Sequence, residues 1–119
     1  MENFKVTRVY EDKNGDSQFD EIEIPIFTKG ELGFLSDKQK ASGIIFRKVV
    51  PGYDYDFHNA PEKQFIILLD GGVEIETSLG EKRTFQTGEV LLVEDLNGKG
   101  HKTRNLKNEV RSSIFVTLE

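Results

Sequence analysis

Apolar residues recur at every second position in short runs, and glycine-bearing turns separate the runs. A period of two puts alternate side chains on opposite faces of an extended strand, whereas an amphipathic helix repeats near 3.6. Strands are therefore predicted over Phe4–Tyr10, Phe19–Ile26, Ile44–Val50, Phe65–Leu69, Val73–Thr77, Val90–Val93 and Ile114–Leu118. Pro25 marks an edge or a strand end, because proline cannot donate to a ladder. The run Phe65–Leu69 is apolar throughout, as expected of a strand buried on both faces or nearly so. Asn14-Gly15, Asp70-Gly71-Gly72, Leu79-Gly80, Thr87-Gly88 and Asn97-Gly98 supply the turns. The polar stretch from Thr28 to Ala41 holds a loop or one short helical turn. Many short strands with regular turns specify a β-sandwich or β-barrel.

Composition narrows the function classes. The chain has 119 residues, enough for one domain with a small core, and no linker divides it. Nine phenylalanines and no tryptophan place Phe, Ile, Leu and Val in that core. There are no cysteines, which excludes disulfides, zinc ribbons and a thiol nucleophile and is compatible with a reducing cytoplasm. The N-terminus MENFKVTRVYEDK has no apolar core of a secretory signal, and no run approaches the roughly 20 apolar residues of a membrane helix. The expected setting is cytoplasmic, with no membrane partner. The net charge is −5 with scattered basic residues, which argues against nucleic-acid binding.

Two stretches carry candidate chemistry. Asp12–Glu23 has acidic or amide groups spaced as in a calcium loop, but Ser17 stands where the sharp turn needs glycine, and both flanks alternate as strands. A hairpin turn at Asn14-Gly15 accounts for it. The segment GYDYDFHNAPEKQ, Gly52 to Gln64, is denser: two tyrosines, two aspartates, a histidine and a glutamine.

Gly52, five residues, His58, then Gln64, then six residues to Gly71 resembles the first signature of the cupin superfamily. Gly88, five residues to Glu94, and later His101 with Asn105 four positions on resembles the second. The resemblance runs from Gly52 to Asn105. It implies an all-β fold, a single small cupin jelly-roll barrel (double-stranded β-helix) over 1–119. The core would span about 43–118, and N-terminal strands within 1–27 would lie at a sheet edge or dimer interface. The departures fall on the ligands. The second histidine of the family's His-X-His is Ala60, its glutamate is Gln64, and its Pro-X-Gly loop is replaced by Glu94-Asp95-Leu96 and a longer connection.

Strand alternation gives expectations for the site. If His58 points inward, Asp54, Asp56 and Ala60 share its face unless a bulge at Asn59–Pro61 intervenes, and Tyr53 and Tyr55 point outward. Gln64, Ile66 and Leu68 share one face of the next strand; His101, Thr103 and Asn105 share one face of a later strand. Glu94 and Asp95 either hold the loop before His101 or rim the mouth. Arg47 and Arg104 are candidates for an anionic substrate. His58, Gln64 and His101 are the candidate metal ligands, for Zn, Fe, Ni or Mn, with a carboxylate from Asp56 or Asp54. Without metal, His58, His101 and Asp56 form a candidate acid–base set. Two functions remain open: an isomerase, dioxygenase or lyase acting on a small acid or sugar derivative, or a non-catalytic metabolite-binding barrel. A homodimer is expected, with Phe4–Tyr10 added to a partner's sheet edge.

Overall fold

The alternating runs form twelve strands in a computed structural model that describes residues 3–119. Met1 and Glu2 of the expected domain range lie outside the described residues. Strands β1 (Asn3–Glu11) and β2 (Ser17–Pro25) make an antiparallel hairpin, with Tyr10 opposite Gln18 and Asn3 opposite Pro25. Its turn is fixed locally. The Asp12 carboxylate accepts the backbone N–H groups of Asn14 and Asp16, and Gly15 supplies φ of +82°. The acidic cluster therefore closes a hairpin. β2 ends at Pro25, and the segment after it contains the two-residue strands β3 (Phe27–Thr28) and β4 (Phe34–Leu35) around a 3-10 turn, Gly30–Leu32.

The remaining strands are β5 (Gly43–Val49), β6 (Asp54–His58), β7 (Gln64–Leu68), β8 (Val73–Thr77), β9 (Lys82–Phe85), β10 (Val90–Val93), β11 (His101–Asn105) and β12 (Arg111–Thr117). They assemble two sheets, in the orders β2-β1-β10-β7-β12-β5 and β6-β11-β8-β9. One apolar cluster joins the sheets. Val9, Phe19, Leu68, Leu91 and Val93 come from the larger, and Val73, Ile75 and Phe85 from the smaller. This is an all-β jelly roll. No helix among the described residues is long and apolar enough to cross a membrane.

Two expectations are corrected. β1 has a neighbour on each side, β2 antiparallel and β10 parallel. The stretch Thr7–Val9 of the expected edge Phe4–Tyr10 is therefore covered on both sides, and the outermost strands of that sheet are β2 and β5. The apolar run of β7 sits between β10 and β12 with only Gln64 and Leu68 fully buried; its outer face is half-buried, and Leu69 beyond it is 46% exposed.

Candidate functional site

Between the two sheets lies a cavity of about 210 Å³. Its floor is apolar, from Ile66, Leu68, Val73, Ile75, Leu91 and Val93. The polar groups at its wall come from β5, β6, β7, β11, β12 and the β5–β6 loop, and on β7 and β11 strand parity places them. On β7 the alternation turns Gln64, Ile66 and Leu68 inward, and Gln64 is 4% exposed. On β11 His101, Thr103 and Asn105 are all buried. Ala60 adds a methyl group where the related motif has a second histidine.

Parity fails on β6, and the site changes as a result. His58 pairs with His101, and Tyr55 pairs with Thr103, so β6 has one residue more than its partner over that interval. Such a bulge resets the alternation. Tyr55 turns in beside His58, their rings stacked at 4.0 Å between centroids. Asp56 turns out: its Oδ1 accepts the N–H of Phe57, and it does not line the cavity. Asp54 is exposed likewise. The expected partnership of the Asp56 carboxylate with His58, and the outward placement of Tyr53 and Tyr55, are both overturned. The irregularity precedes His58; Pro61 does not mark it.

The carboxylate that does reach a histidine is Asp95. It is fully buried, and its Oδ2 accepts a hydrogen bond of 2.5 Å from Nδ1 of His101. Its Oδ1 is buried without a hydrogen-bond partner among the described residues. The loop from Glu94 to Gly100 brings the two together, and the carbonyl of Asp95 accepts the N–H of Ala60. Glu94 turns the other way, to Arg8 at 2.9 Å and Lys63 at 3.4 Å.

The hydrogen bonds assign the tautomers. Nδ1 of His101 faces a carboxylate, and Nδ1 of His58 faces the carbonyl oxygen of Asp56 at 2.8 Å. Both Nδ1 atoms must donate, which leaves the lone pair of each neutral ring on Nε2. The ring centroids are 4.5 Å apart. Burial, reinforced by the neighbouring His101 and Arg47, holds the His58 pKa below 6.5 despite the bond to the Asp56 carbonyl. His58 is therefore neutral at neutral pH.

The far wall is cationic. Arg47 donates to the Tyr53 hydroxyl at 2.9 Å and lies 5.1 Å from the ring centroids of both Tyr53 and Phe115. Arg111 is 3% exposed, donates from Nε to Asn105 Oδ1 at 2.8 Å, and approaches the Tyr53 ring to 5.9 Å. Arg104, the other arginine singled out by the sequence, lies outside and pairs with Glu74.

A divalent cation suits this lining poorly. The donors that face the cavity are two imidazoles and the neutral amide of Gln64. No carboxylate lines it, two guanidinium groups do, and no cluster of three or more His, Cys, Asp or Glu converges among the described residues. Hard and borderline metals are held by ligand sets that include anionic oxygen or a third imidazole.

No protein-family model matches the chain, and no curated protein does. Solved structures match. A cupin 2 conserved barrel domain protein from Salinispora arenicola superposes with a TM-score of 0.51 at 24% identity, over 64% of this chain. That match spans 61% of the Salinispora chain, less than two thirds of its length. The cupin domain of Cnp3 from Schizosaccharomyces pombe superposes with a TM-score of 0.51 at 10% identity, over 100% of this chain and 86% of that one. At such identities the likeness is one of fold.

Proposed function

We propose that this chain, which has the cupin fold, is a metal-independent acid–base enzyme acting on a small organic molecule bound between its sheets. The observation that carries the reading is the buried Asp95–His101 pair, closed at 2.5 Å. A carboxylate on Nδ1 fixes the ring, leaves Nε2 as the base, and stabilises the imidazolium formed when a proton is taken. His58 lies beside His101 at 4.5 Å between ring centroids, and Tyr55 stacks on His58, so a hydroxyl that carries a proton belongs to the same wall. Proton abstraction next to a carbonyl, as in isomerisation or epimerisation, is the reaction class that needs only these parts. A general acid–base pair of this kind contributes typically 10²–10⁴-fold.

The test is solvent-isotope wash-in. Small keto acids and aldoses are incubated in D₂O with wild type, His101→Gln and Asp95→Asn, and deuterium at carbon is followed by NMR. The reading requires exchange in wild type and its loss, by about 10²-fold or more, in His101→Gln. A molecule that binds the cavity without any exchange establishes the barrel as a binding module. Elemental analysis of protein purified without added metal adds a separate check: near one metal per chain, lost in His58→Ala, overturns metal independence.

We also propose that the chain pairs with a second copy through β5. That strand is a sheet edge, and Ile44, Ile45 and Phe46 on it are 57%, 45% and 76% exposed. An unpaired apolar edge is self-complementary about a two-fold axis.

A further inference from the structure

Arg111 and Arg47 reach the cavity with no acidic partner. Neither forms an ion pair with any described Asp or Glu, and the cavity lining contains no carboxylate, in a chain whose net charge is −5. Nη2 of Arg111 is buried and has no hydrogen-bond partner among the described residues. Its Nε is committed to Asn105, whose amide is in turn held by the carbonyls of Val50 and Glu109. The side chain is thus fixed in direction, and Arg111 lines the cavity with Nη2 lying just beneath that lining. Burial, reinforced by the nearby charge of Arg47 and opposed by Tyr53 and Asp70, lowers the Arg111 pKa. Buried guanidinium groups are costly unless paired and hydrogen-bonded, and the cavity lining offers no carboxylate to pair with.

The position of this pair relative to the histidines is set by a row of rings. Both guanidinium groups sit on Tyr53, whose ring lies 6.2 Å from Tyr55. Tyr55 stacks on His58, and His58 neighbours His101. The cationic wall and the basic wall therefore face one apolar floor, and the cavity is smaller than those that hold drug-sized ligands, about 300–1,000 Å³. We propose that the cavity takes a compact monocarboxylate, its carboxylate against the guanidinium groups of Arg111 and Arg47, its carbon chain on the floor and its far carbons at His58 and His101. Guanidinium groups give carboxylates charge-assisted hydrogen bonds of fixed direction. This deepens the acid–base reading above by naming the substrate class, but the anion site stands on the arginines alone.

The experiment is calorimetric titration of the whole chain with butyrate, its neutral amide butyramide, and inorganic phosphate, with melting temperatures recorded in parallel. Butyrate should bind at least tenfold more tightly than butyramide and raise the melting temperature. Arg111→Gln should weaken butyrate tenfold or more and leave butyramide unchanged. Arg111→Lys, which keeps the charge and loses the fork, should recover only part of the affinity. Should Arg111→Gln fail to fold, Arg47→Gln carries the same comparison. Equal binding of butyrate and butyramide, or butyrate affinity unaltered in both glutamine variants, overturns the proposal. So does tighter binding of phosphate through the same arginines. Deuterium wash-in reports on the acid–base reading and the butyrate titration on the anion site, so failure of the one and failure of the other give different results.

Discussion

Nδ1 of His101 has one acceptor, the buried carboxylate of Asp95. Asp95→Ala would strand that N–H in the interior, and an unsatisfied buried donor costs about 1–3 kcal/mol. Urea unfolding should show a loss of that size, and the downfield Nδ1 proton resonance of His101 should vanish. His58 sets a pH dependence of defined sign. It is neutral in the fold because burial, reinforced by His101 and Arg47 and opposed by Asp95 and the Asp56 carbonyl, lowers its pKa below 6.5. Below pH 6.5 the unfolded chain takes up a proton that the folded chain refuses, so the contribution of His58 to stability is full above 6.5 and is lost as the pH falls. Melting temperatures between pH 7.5 and 5 should fall more steeply in wild type than in His58→Gln; equal slopes would contradict the burial of that ring. Both histidines were legible from their spacing in the sequence. Asp95 was not assignable, because its contact with His101 depends on the path of a six-residue-spaced loop rather than on strand alternation. Arg111 gave no signal, since a lone arginine at the start of a strand reads as surface until its neighbours are known.

Strand parity predicts faces only while the ladder stays regular. It held on β7 and β11, where Gln64 and His101 turn inward. On β6 one extra residue exchanged the places of Asp56 and Tyr55, and no glycine or proline lies within the bulge to announce it. What presses β6 against β11 is Gly100. A Cβ there would lie 2.3 Å from the carbonyl oxygen of His58, and φ is +75°. Gly80 has a similar φ of +89° with nothing within 4 Å of its Cβ position. Gly80→Ala isolates the backbone strain and should cost about 1–2 kcal/mol. Gly100→Ala adds the displacement of β6 and should cost about 2–4 kcal/mol. Equal losses in chemical denaturation would show that the strands yield freely. The larger loss should be accompanied by changed chemical shifts at both histidine rings.

The whole chain is more extended than its length requires. Its radius of gyration is 14.9 Å, against about 13.5 Å for a compact chain of this size. The segment between β2 and β5 accounts for part of this: Phe27, Leu32, Phe34 and Leu35 are 40–78% exposed, and β3 and β4 pair only with each other. A two-stranded ribbon alone is marginal in water, and this one leads directly into the exposed edge β5. Sedimentation at tens of micromolar should give about twice the 13.6 kDa chain mass. Phe46→Glu should give the single mass while changing the unfolding free energy of the monomer by less than about 0.5 kcal/mol; a monomeric wild type would rule out pairing through β5. The parallel contact between β1 and β10 has a consequence for biosynthesis. Thr7 pairs with Leu91, so the N-terminal hairpin leaves the ribosome long before its partner strand is made. At roughly 5–20 residues per second, the inner face of that hairpin waits several seconds for β10. Chaperone demand and aggregation during synthesis should therefore be greatest in that interval.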